Sequence, residues 1–533
     1  MKNKNAEMLV NRFATLRTNR STWESHWQEI ADYMLPRKAD ITTQRTRGDK
    51  RSEVIFDGTA IHALELLSSS LHGMLTNAAS PWFTLAFKNP LLSENDEAQE
   101  WLDSVTQDMY VAFNRSNFQQ EIQELYQDLI SFGTSAMFVS PDEKNLVRFN
   151  TRHIKEIFIA ENEKGQVDTV FRHFTLSARA AVNLFGEENV GAGILNKFKK
   201  DVDADVSILH AVMPRDTYNE KKKDTQNMPF KSCYVDPDDV HMISESGFNE
   251  FPYVVPRYLK ASYEIYGRSP SMNALPDVKM LNKMSEVTIK AAQKQIDPPL
   301  MVPDDGFMLP VRTVPGGLNF YRSGSRDRIE PLQIGANNPV TVNMIQDRQL
   351  AIQKTFYVDQ LLLSQGGQMT ATEVLQRNEE KMRLLGPVLG RLQSELLQPL
   401  IERVFNILMR ADVFRPMPEI LTNQTIDIEY VSPLAKAQKS GDLNSVMRGI
   451  EIFGSMSQFA PVLDYLDSDG LVKYVQKMLG LPARIIKSDA EVAQVRQQRQ
   501  EQQQQAMEQQ QAVEAAQAAG SAAPMLKAVE EQQ

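Results

Sequence analysis

A chain of 533 residues is longer than one hydrophobic core usually sustains, so two or more packed units are expected. Hydrophobic residues at 42% and charged residues at 24% are ordinary core and surface material, while a net charge of −10 argues against a protein that coats nucleic acid by neutralising its phosphates. Weak, passing contact with DNA and a plain acidic cytoplasmic protein both fit that balance.

The N-terminus, MKNKNAEMLVNRFATLR, reads as an amphipathic helix without a long apolar centre, so no signal peptide is expected. Phe13, Leu16, Trp23, Trp27, Ile30 and Met34 recur at helical spacing until Leu35-Pro36 stops the pattern. A basic loop follows to Arg51, and Asp57 is placed to cap a second helix through Ile61, Leu64, Leu67, Leu71 and Leu75. Helices are then predicted from about Glu94 to Asn114 and from Phe118 to Phe132.

Beyond this point the period becomes alternating. Strands are predicted at Ala136–Ser140, Ile154–Ala160, Val167–Phe174, Val206–Val212 and Phe251–Leu259, with a turn at Asn162–Gly165 and a charged loop from Asp216 to Met228. Ser269-Pro270 combines an N-cap residue with proline at the first helical position and opens a helix to about Ile296, where Asp297-Pro298-Pro299 ends it. Asn338-Pro339 repeats the signal for a helix to about Tyr357. Between the two helices, Leu300–Ala336 is broken into short extended pieces by Pro303, Pro310, Pro315-Gly316-Gly317 and Gly324.

A loop carrying Gly366-Gly367 comes next. Thr370-x-x-Glu373 then caps a long helix to about Ala411, whose seam is Leu385, Leu389, Leu392, Leu396, Leu400, Val404 and Leu408. Pro387 and Pro399 each remove a backbone donor, so this helix is expected to kink. A strand at Ile426–Val431, a helical group over Leu434–Leu481 and a Gln/Ala-rich tail from about Ser488, either a solvated helix or without fixed structure, complete the chain.

Motifs of catalysis are missing from the sequence. It holds no phosphate-binding G-x-x-x-x-G-K-[ST], no H-E-x-x-H and no G-x-S-x-G. The single cysteine, Cys233, excludes a disulfide framework and a cysteine-built zinc site, and reads as a bland buried thiol. His62 on an apolar helix face reads as packed, His153 and His173 lack a third ligand, and Asp236, Asp238 and Asp239 lack calcium-loop spacing and read as a solvated turn. No catalytic residue, metal or cofactor is assigned, and without a run of about 18 apolar residues no membrane span is expected.

Several segments, in order, resemble the head-to-tail connecting (portal) proteins of short-tailed phages. They are Pro81-Trp82-Phe83, Ser116-Asn117-Phe118, Asp128-Leu129-Ile130, Phe132-Gly133, Tyr266-Gly-Arg-Ser-Pro270, Leu281-Asn282, Asp297-Pro298-Pro299, Met369-Thr-Ala-Thr-Glu-Val374 and Gly386-Pro387. The resemblance runs from about Trp23 to Phe405, is carried most specifically by the Met369–Val374 block, and fades beyond Pro433. It implies an α+β, mainly α subunit of a dodecameric ring around a DNA channel at the capsid vertex of a virion, assembled in the host cytoplasm. Its divisions would be a wing over residues 1–265, stem helices over 266–297 and 338–360 flanking a clip over 298–337, and a tunnel loop over 361–371. A kinked helix with a wing strand over 372–433, a helical crown over 434–487 and the tail over 488–533 would follow. Implied partners are further copies of the chain, double-stranded DNA bound without sequence preference, the terminase packaging motor, tail adaptors, capsid and scaffold proteins, and internal core proteins, with no membrane.

Two residue groups are candidates for contact. Lys279, Lys283, Lys290 and Lys294 fall within about 60° of one helix face at 100° per residue, with Glu286 among them. That face, together with Gly366, Gly367 and Gln368, is expected at the channel wall; the alternative is a solvated outer face or one paired with acids. Arg312, Arg322, Arg326 and Arg328 give the clip a basic rim for docking the motor and the tail, or make it an ordinary solvated loop. Against the portal reading stand a terminase-associated DNA-processing enzyme, which needs the missing phosphate loop, and an unrelated helical scaffold.

Overall fold

In the computed structural model the backbone divides into two units, Met1–Trp82 with Met109–Val413 and Phe83–Asp108 with Phe414–Gln533. The structure describes residues 4–44, 46, 48–87, 89, 92, 95–219, 222, 224–302, 311–313, 318–320, 329–332, 339–361, 385–421, 428–431, 446–455, 467–479, 491–505 and 507. Among them the helices are α1 (Lys4–Met34), α2 (Thr59–Leu75), α3 (Asp96–Arg115), α4 (Phe118–Phe132), α5 (Ala178–Phe185), α6 (Ala192–Lys200), α7 (Pro270–Ile296), α8 (Pro339–Thr355), α9 (Val358–Leu361), α10 (Gln398–Arg410) and α11 (Ser468–Leu479). The strands are β1 (Thr84–Phe87), β2 (Ala136–Asp142), β3 (Leu146–Arg152), β4 (Ile157–Glu161), β5 (Val167–Ser177), β6 (Asp205–Pro214), β7 (Phe230–Asp236), β8 (His241–Phe248), β9 (Tyr253–Val254), β10 (Leu300–Met301), β11 (Glu330–Pro331) and β12 (Ile428–Val431). Further helical segments cover 385–392, 446–455 and 491–505. This is a mixed helix-and-sheet chain.

The first unit is organised by an antiparallel five-stranded sheet in the order β4-β5-β6-β7-β8. Side chains alternate across it, so the two halves of each strand's residues enter different cores. Leu209, Ala211 and Met213 of β6 join Phe158, Phe171 and Val235 against Ala6, Leu9 and Phe13 of α1. Val206 and Ile208, on the opposite face, join Phe174 and Ile243 under Ala181, Val182 and Ile194 of α5 and α6. A three-stranded sheet, β3-β2-β9, lies in the same unit. In the second unit β1 pairs antiparallel with β12, from Thr84 opposite Val431 to Phe87 opposite Ile428.

Several local expectations are corrected. Residues Ile154–Glu156 form a 3-10 turn before β4 begins, and the expected Phe251–Leu259 strand reduces to β9 with isolated bridges at Arg257 and Leu259. Helices α5 and α6 and strands β7 and β8 arise where no element was expected; each gains its stability from the sheet it covers or extends. Gly58 rather than Asp57 holds the cap position of α2, although the Asp57 carboxylate still accepts the Thr59 N–H at 2.8 Å. His62 is exposed rather than packed. The Asp236–Asp239 segment is a turn, but not a solvated one throughout: Asp236 is buried and accepts the backbone N–H groups of Asp238 and Asp239 at 3.0 and 3.3 Å. Among the described residues no group of His, Cys, Asp and Glu is placed to hold a metal ion.

The buried histidine is His210, between the two sheets. Its ring stacks on Tyr234 at 4.1 Å, with Nδ1 at 3.2 Å from the Tyr253 hydroxyl and Nε2 at 2.9 Å from the Ser232 hydroxyl. Burial first, then the nearby Arg172 and Arg152, press its pKa down to about 3, so the ring is neutral in the folded chain. An unfolded chain protonates the same imidazole near its ordinary value, about 6.5. The depressed folded pKa therefore contributes stability that is fully present above about pH 6.5 and lost as pH falls toward 3.

The long helix is broken where its prolines predict a break, although by a different device. Residues Gln393–Leu397 form a π turn, with the Gln398 N–H reaching the Gln393 carbonyl, directly ahead of Pro399. At about 100° per residue, buried Leu385, Val388, Leu389, Leu392 and Leu396 centre on one direction, whereas Leu400, Ile401, Val404, Ile407 and Leu408 centre about 100° further round. The extra residue of a π turn takes up that difference and keeps both seams on one core. The Thr370-x-x-Glu373 capping box lies outside the described residues.

Two measurements check these points. Inserting one alanine after exposed Ser394 adds a residue that the single π turn does not absorb and throws the seams apart, costing more than about 3 kcal/mol because each leucine turned to water loses about 1.5–3 kcal/mol; Ser394→Ala stays within about 0.5 kcal/mol. Urea midpoints distinguish the two. For His210→Gln, the drop in midpoint between pH 7 and pH 5 is smaller than in the parent chain; an equal drop contradicts the assignment.

Candidate functional site

The two proline-started helices, α7 and α8, form an antiparallel hairpin, and its root is built on the end of α4. A helix leaves its last four carbonyls without intrahelical donors unless something outside supplies them. At α4 the Gly133 N–H returns to the Leu129 carbonyl at 2.9 Å. The Ser271 hydroxyl then donates to the Ile130 carbonyl and the Ser269 hydroxyl to the Ser131 carbonyl, both at 2.8 Å, while Trp27 Nε1 donates to the Phe132 carbonyl at 3.0 Å. Ser269 also accepts the Met272 N–H at 3.1 Å, capping α7, so one hydroxyl joins the end of one helix to the start of the next.

This junction needs two glycines. Gly133 has φ +76°, and a Cβ on it would stand 2.2 Å from the Gly267 carbonyl oxygen; a Cβ on Gly267 would meet the Gly133 oxygen at the same distance. The Thr134 hydroxyl accepts the Gly267 N–H at 2.8 Å across the crossing. Nearby, Asp128 is fully buried and takes both bonds from Lys38 Nζ at 2.6 and 2.7 Å. Arg257 is buried too, with its backbone N–H and guanidinium on Glu395 at 2.7–3.0 Å and a further bond to Glu161. Burial works against that charge, but the bonds from Glu395 and then Glu161 outweigh it and raise the Arg257 pKa. The π turn sets Glu395 in place, so the long helix is tied to the same root.

Two side chains fix how the hairpin leaves this base. Buried Asn282 accepts the Phe56 and Asp57 N–H groups at 2.8 and 3.3 Å and donates to the Val278 carbonyl at 3.1 Å. Arg348 of α8 reaches Asp277 of α7 at 2.9 Å, and Gln349 reaches Asp57 at 2.9 Å. Past Asn282 the character of α7 changes: its first half is buried, and its second half is mostly exposed, including Val287, Ile289 and Ile296.

The lysines expected on one face are all exposed on α7. Lys279 pairs with Glu29 of α1 at 3.2 Å, and Glu286 holds Lys283 at 3.0 Å and Lys290 at 2.5 Å. Lys290 first, then Lys283, hold the Glu286 carboxyl below its usual range. Lys294 has no carboxylate partner among the described residues. In the connecting segment β10 pairs with β11, and Arg312 is exposed, its backbone closed by Asn319 through bonds of 2.6 and 2.8 Å. Arg322, Arg326, Arg328, Gly366, Gly367 and Gln368 lie outside the described residues.

Asp128, Phe132, Gly133, Gly267, Ser269 and Asn282 all belong to segments noted in the sequence, and they converge on the root. Arg257 and Glu395 escaped sequence reading, since nothing local distinguishes an arginine that will be buried; the only signal was Arg391 and Glu395 at i,i+4 spacing.

Residues 6–486 match the family described as "Bacteriophage head to tail connecting protein". The chain is 35% identical over 508 residues to a probable portal protein of Bordetella phage BPP-1, covering 92% of this chain and 90% of that one. It is 32% identical over 505 residues to a portal protein of Salmonella phage epsilon15, again covering 92% and 90%.

Alanine at Gly133 must both adopt a left-handed backbone and displace a carbonyl, so Gly133→Ala is expected to lower stability by roughly 3 kcal/mol or more. Gly390, exposed on the helix at 385–392 with nothing within 4 Å of an added Cβ, is the control. Gly390→Ala should stabilise by about 0.5–1 kcal/mol. Thermal unfolding of the two variants beside the parent measures both.

Proposed function

The chain belongs to the family of bacteriophage head to tail connecting proteins, and from this we propose that it is the portal at the capsid vertex. Twelve copies would close into a ring through which double-stranded DNA enters during packaging and leaves during ejection. Its role is structural, a conduit and a docking platform rather than an enzyme. The divisions implied by the resemblance are adopted with it: residues 1–265 as wing, α7 and α8 as stem, 298–337 as clip, 361–371 as tunnel loop, 434–487 as crown.

The observation that carries this reading, beside the family match, is the hairpin itself. A helix of 27 residues is about 40 Å long. Its far half carries apolar residues that nothing in the described part of the chain covers, and leaving such surface in water is unfavourable. Copies repeated by rotation supply the missing neighbours and close into a ring.

The remaining assignments follow from charge. Four lysines and Glu286 make a face only partly neutralised, suited to brief, sequence-independent contact with phosphates; a strongly basic wall would hold DNA too tightly to let it move. Lys279, Lys283, Lys290 and Lys294 are proposed to line the channel together with Gly366, Gly367 and Gln368. Arg312, Arg322, Arg326 and Arg328 are proposed to receive the packaging motor and later the tail adaptors, with capsid, scaffold and internal core proteins as further partners. The finished ring would reside in the virion after assembly in the host cytoplasm.

Negative-stain microscopy of the purified chain is expected to show closed rings with a central hole, and light scattering a mass many times that of one chain. A monodisperse monomer at micromolar concentration overturns the ring. Charge reversal, Lys283→Glu with Lys290→Glu, should preserve the rings while changing DNA retention or translocation; unchanged packaging removes these lysines from the channel.

A further inference from the structure

Resting on the ring reading, the hairpin also discloses which of its faces meet the neighbouring copies. With Lys279 at zero and about 100° per residue, exposed Met280 and Val287 stand near 90°, and exposed Ile289 and Ile296 near 270°. The second stripe continues the side on which Val278 and Asn282 are buried closer to the root. Asp277, which holds Arg348, stands at about 160° and marks the direction of α8. The charged face, from Glu286 at about −20° to Lys294 at about 60°, lies roughly opposite. Around α7, therefore, run an apolar flank, the returning helix, a second apolar flank and the charged face.

The sign of charge is ordered across that face. Glu286 borders the Ile289–Ile296 flank, whereas Lys283 and Lys294 border the Met280–Val287 flank. Copies related by rotation about a ring axis set opposite flanks against each other, so the acidic border of one copy meets the basic border of the next. A two-fold dimer would instead set Glu286 beside Glu286, or lysines beside lysines, and repel. We infer that a second copy of this chain covers each apolar flank of α7 in head-to-tail fashion, Val287 of one against Ile289 of the next. The lysine face is consequently turned along the radius of the ring and not buried between subunits.

Cysteine cross-linking tests this in the full chain. Cys233 is 2% exposed and burial, first among the causes, pushes its thiol up to about 11, so it does not compete. Val287 and Ile289 are exposed, so Val287→Cys and Ile289→Cys should be tolerated, and they stand on opposite sides of one helix, where a short bismaleimide cannot bridge them within a chain. The double variant is expected to give a ladder of covalent oligomers on a denaturing gel, with most of the chain leaving the monomer band, while each single variant stays monomeric. Lys283→Cys with Lys290→Cys should give no ladder. Rings by microscopy without a ladder from the Val287/Ile289 pair overturn the inference and leave the ring reading standing. Dimers from either single variant, or a ladder from the lysine pair, overturn it as well. Failure to form rings at all defeats the ring reading itself.

Discussion

The carbonyls at the end of α4 govern how the first unit is put together. Each of the last four has a donor, and three of those donors come from elsewhere in the chain, namely Ser271, Ser269 and Trp27. The C-terminal end of α4, with its partial negative charge, is thus set against the N-terminal end of α7, with its partial positive charge, and the two helix dipoles run head to tail. Backbone contact this close is possible only because Gly133 and Gly267 lack side chains. The start of α7 is consequently pinned by main-chain geometry as well as by the burial of Met272, Leu275 and Val278, and a rigid root is what a long projecting hairpin requires.

Buried charge surrounds that root and makes it specific. Lys38 on Asp128 and Arg257 on Glu395 each join segments far apart in the sequence. Removing one partner of such a pair leaves an uncompensated charge, typically at a cost of about 3–5 kcal/mol, so these contacts penalise any other arrangement more than they stabilise this one. The π turn belongs to the same scheme. It reconciles two apolar seams that are out of phase, and in doing so presents Glu395 to Arg257.

Away from the root the physics changes. Among the described residues the far half of α7 has neither core nor ion pairs to another element, and its charges are satisfied mainly along its own face, through Glu286. Such pairs are worth little in water and are weakened by salt. A face of this kind stays hydrated and exchangeable, the condition under which a phosphate backbone can pass without being held. In the proposed ring, apolar flanks beside a hydrated face would give one helix two tasks, cohesion with neighbouring copies and loose contact with DNA.

What the sequence determined by itself is whatever acts over a few residues. The Ser269-Pro270 start of α7, its end at Asp297, the seam of the long helix and the alternating strands β2 and β5 were all legible, because capping, proline geometry and side-chain periodicity are local. The family, too, was legible from short ordered motifs. Tertiary structure decided the rest. Strand β1 is four residues that became a strand only by pairing with β12 from the far end of the chain, and α5 and α6 are short helices held by the sheet they cover. No pattern near Arg257 announced its burial, and His62 and His210 exchanged the roles expected of a packed and an unremarked histidine. The break ahead of Pro399 was foreseen, but not its form, since a proline only withdraws a donor, whereas the π turn answers to which leucines the core on both sides must receive. Burial and long-range pairing depend on what arrives from elsewhere in the chain, and that information is absent from any window of neighbouring residues.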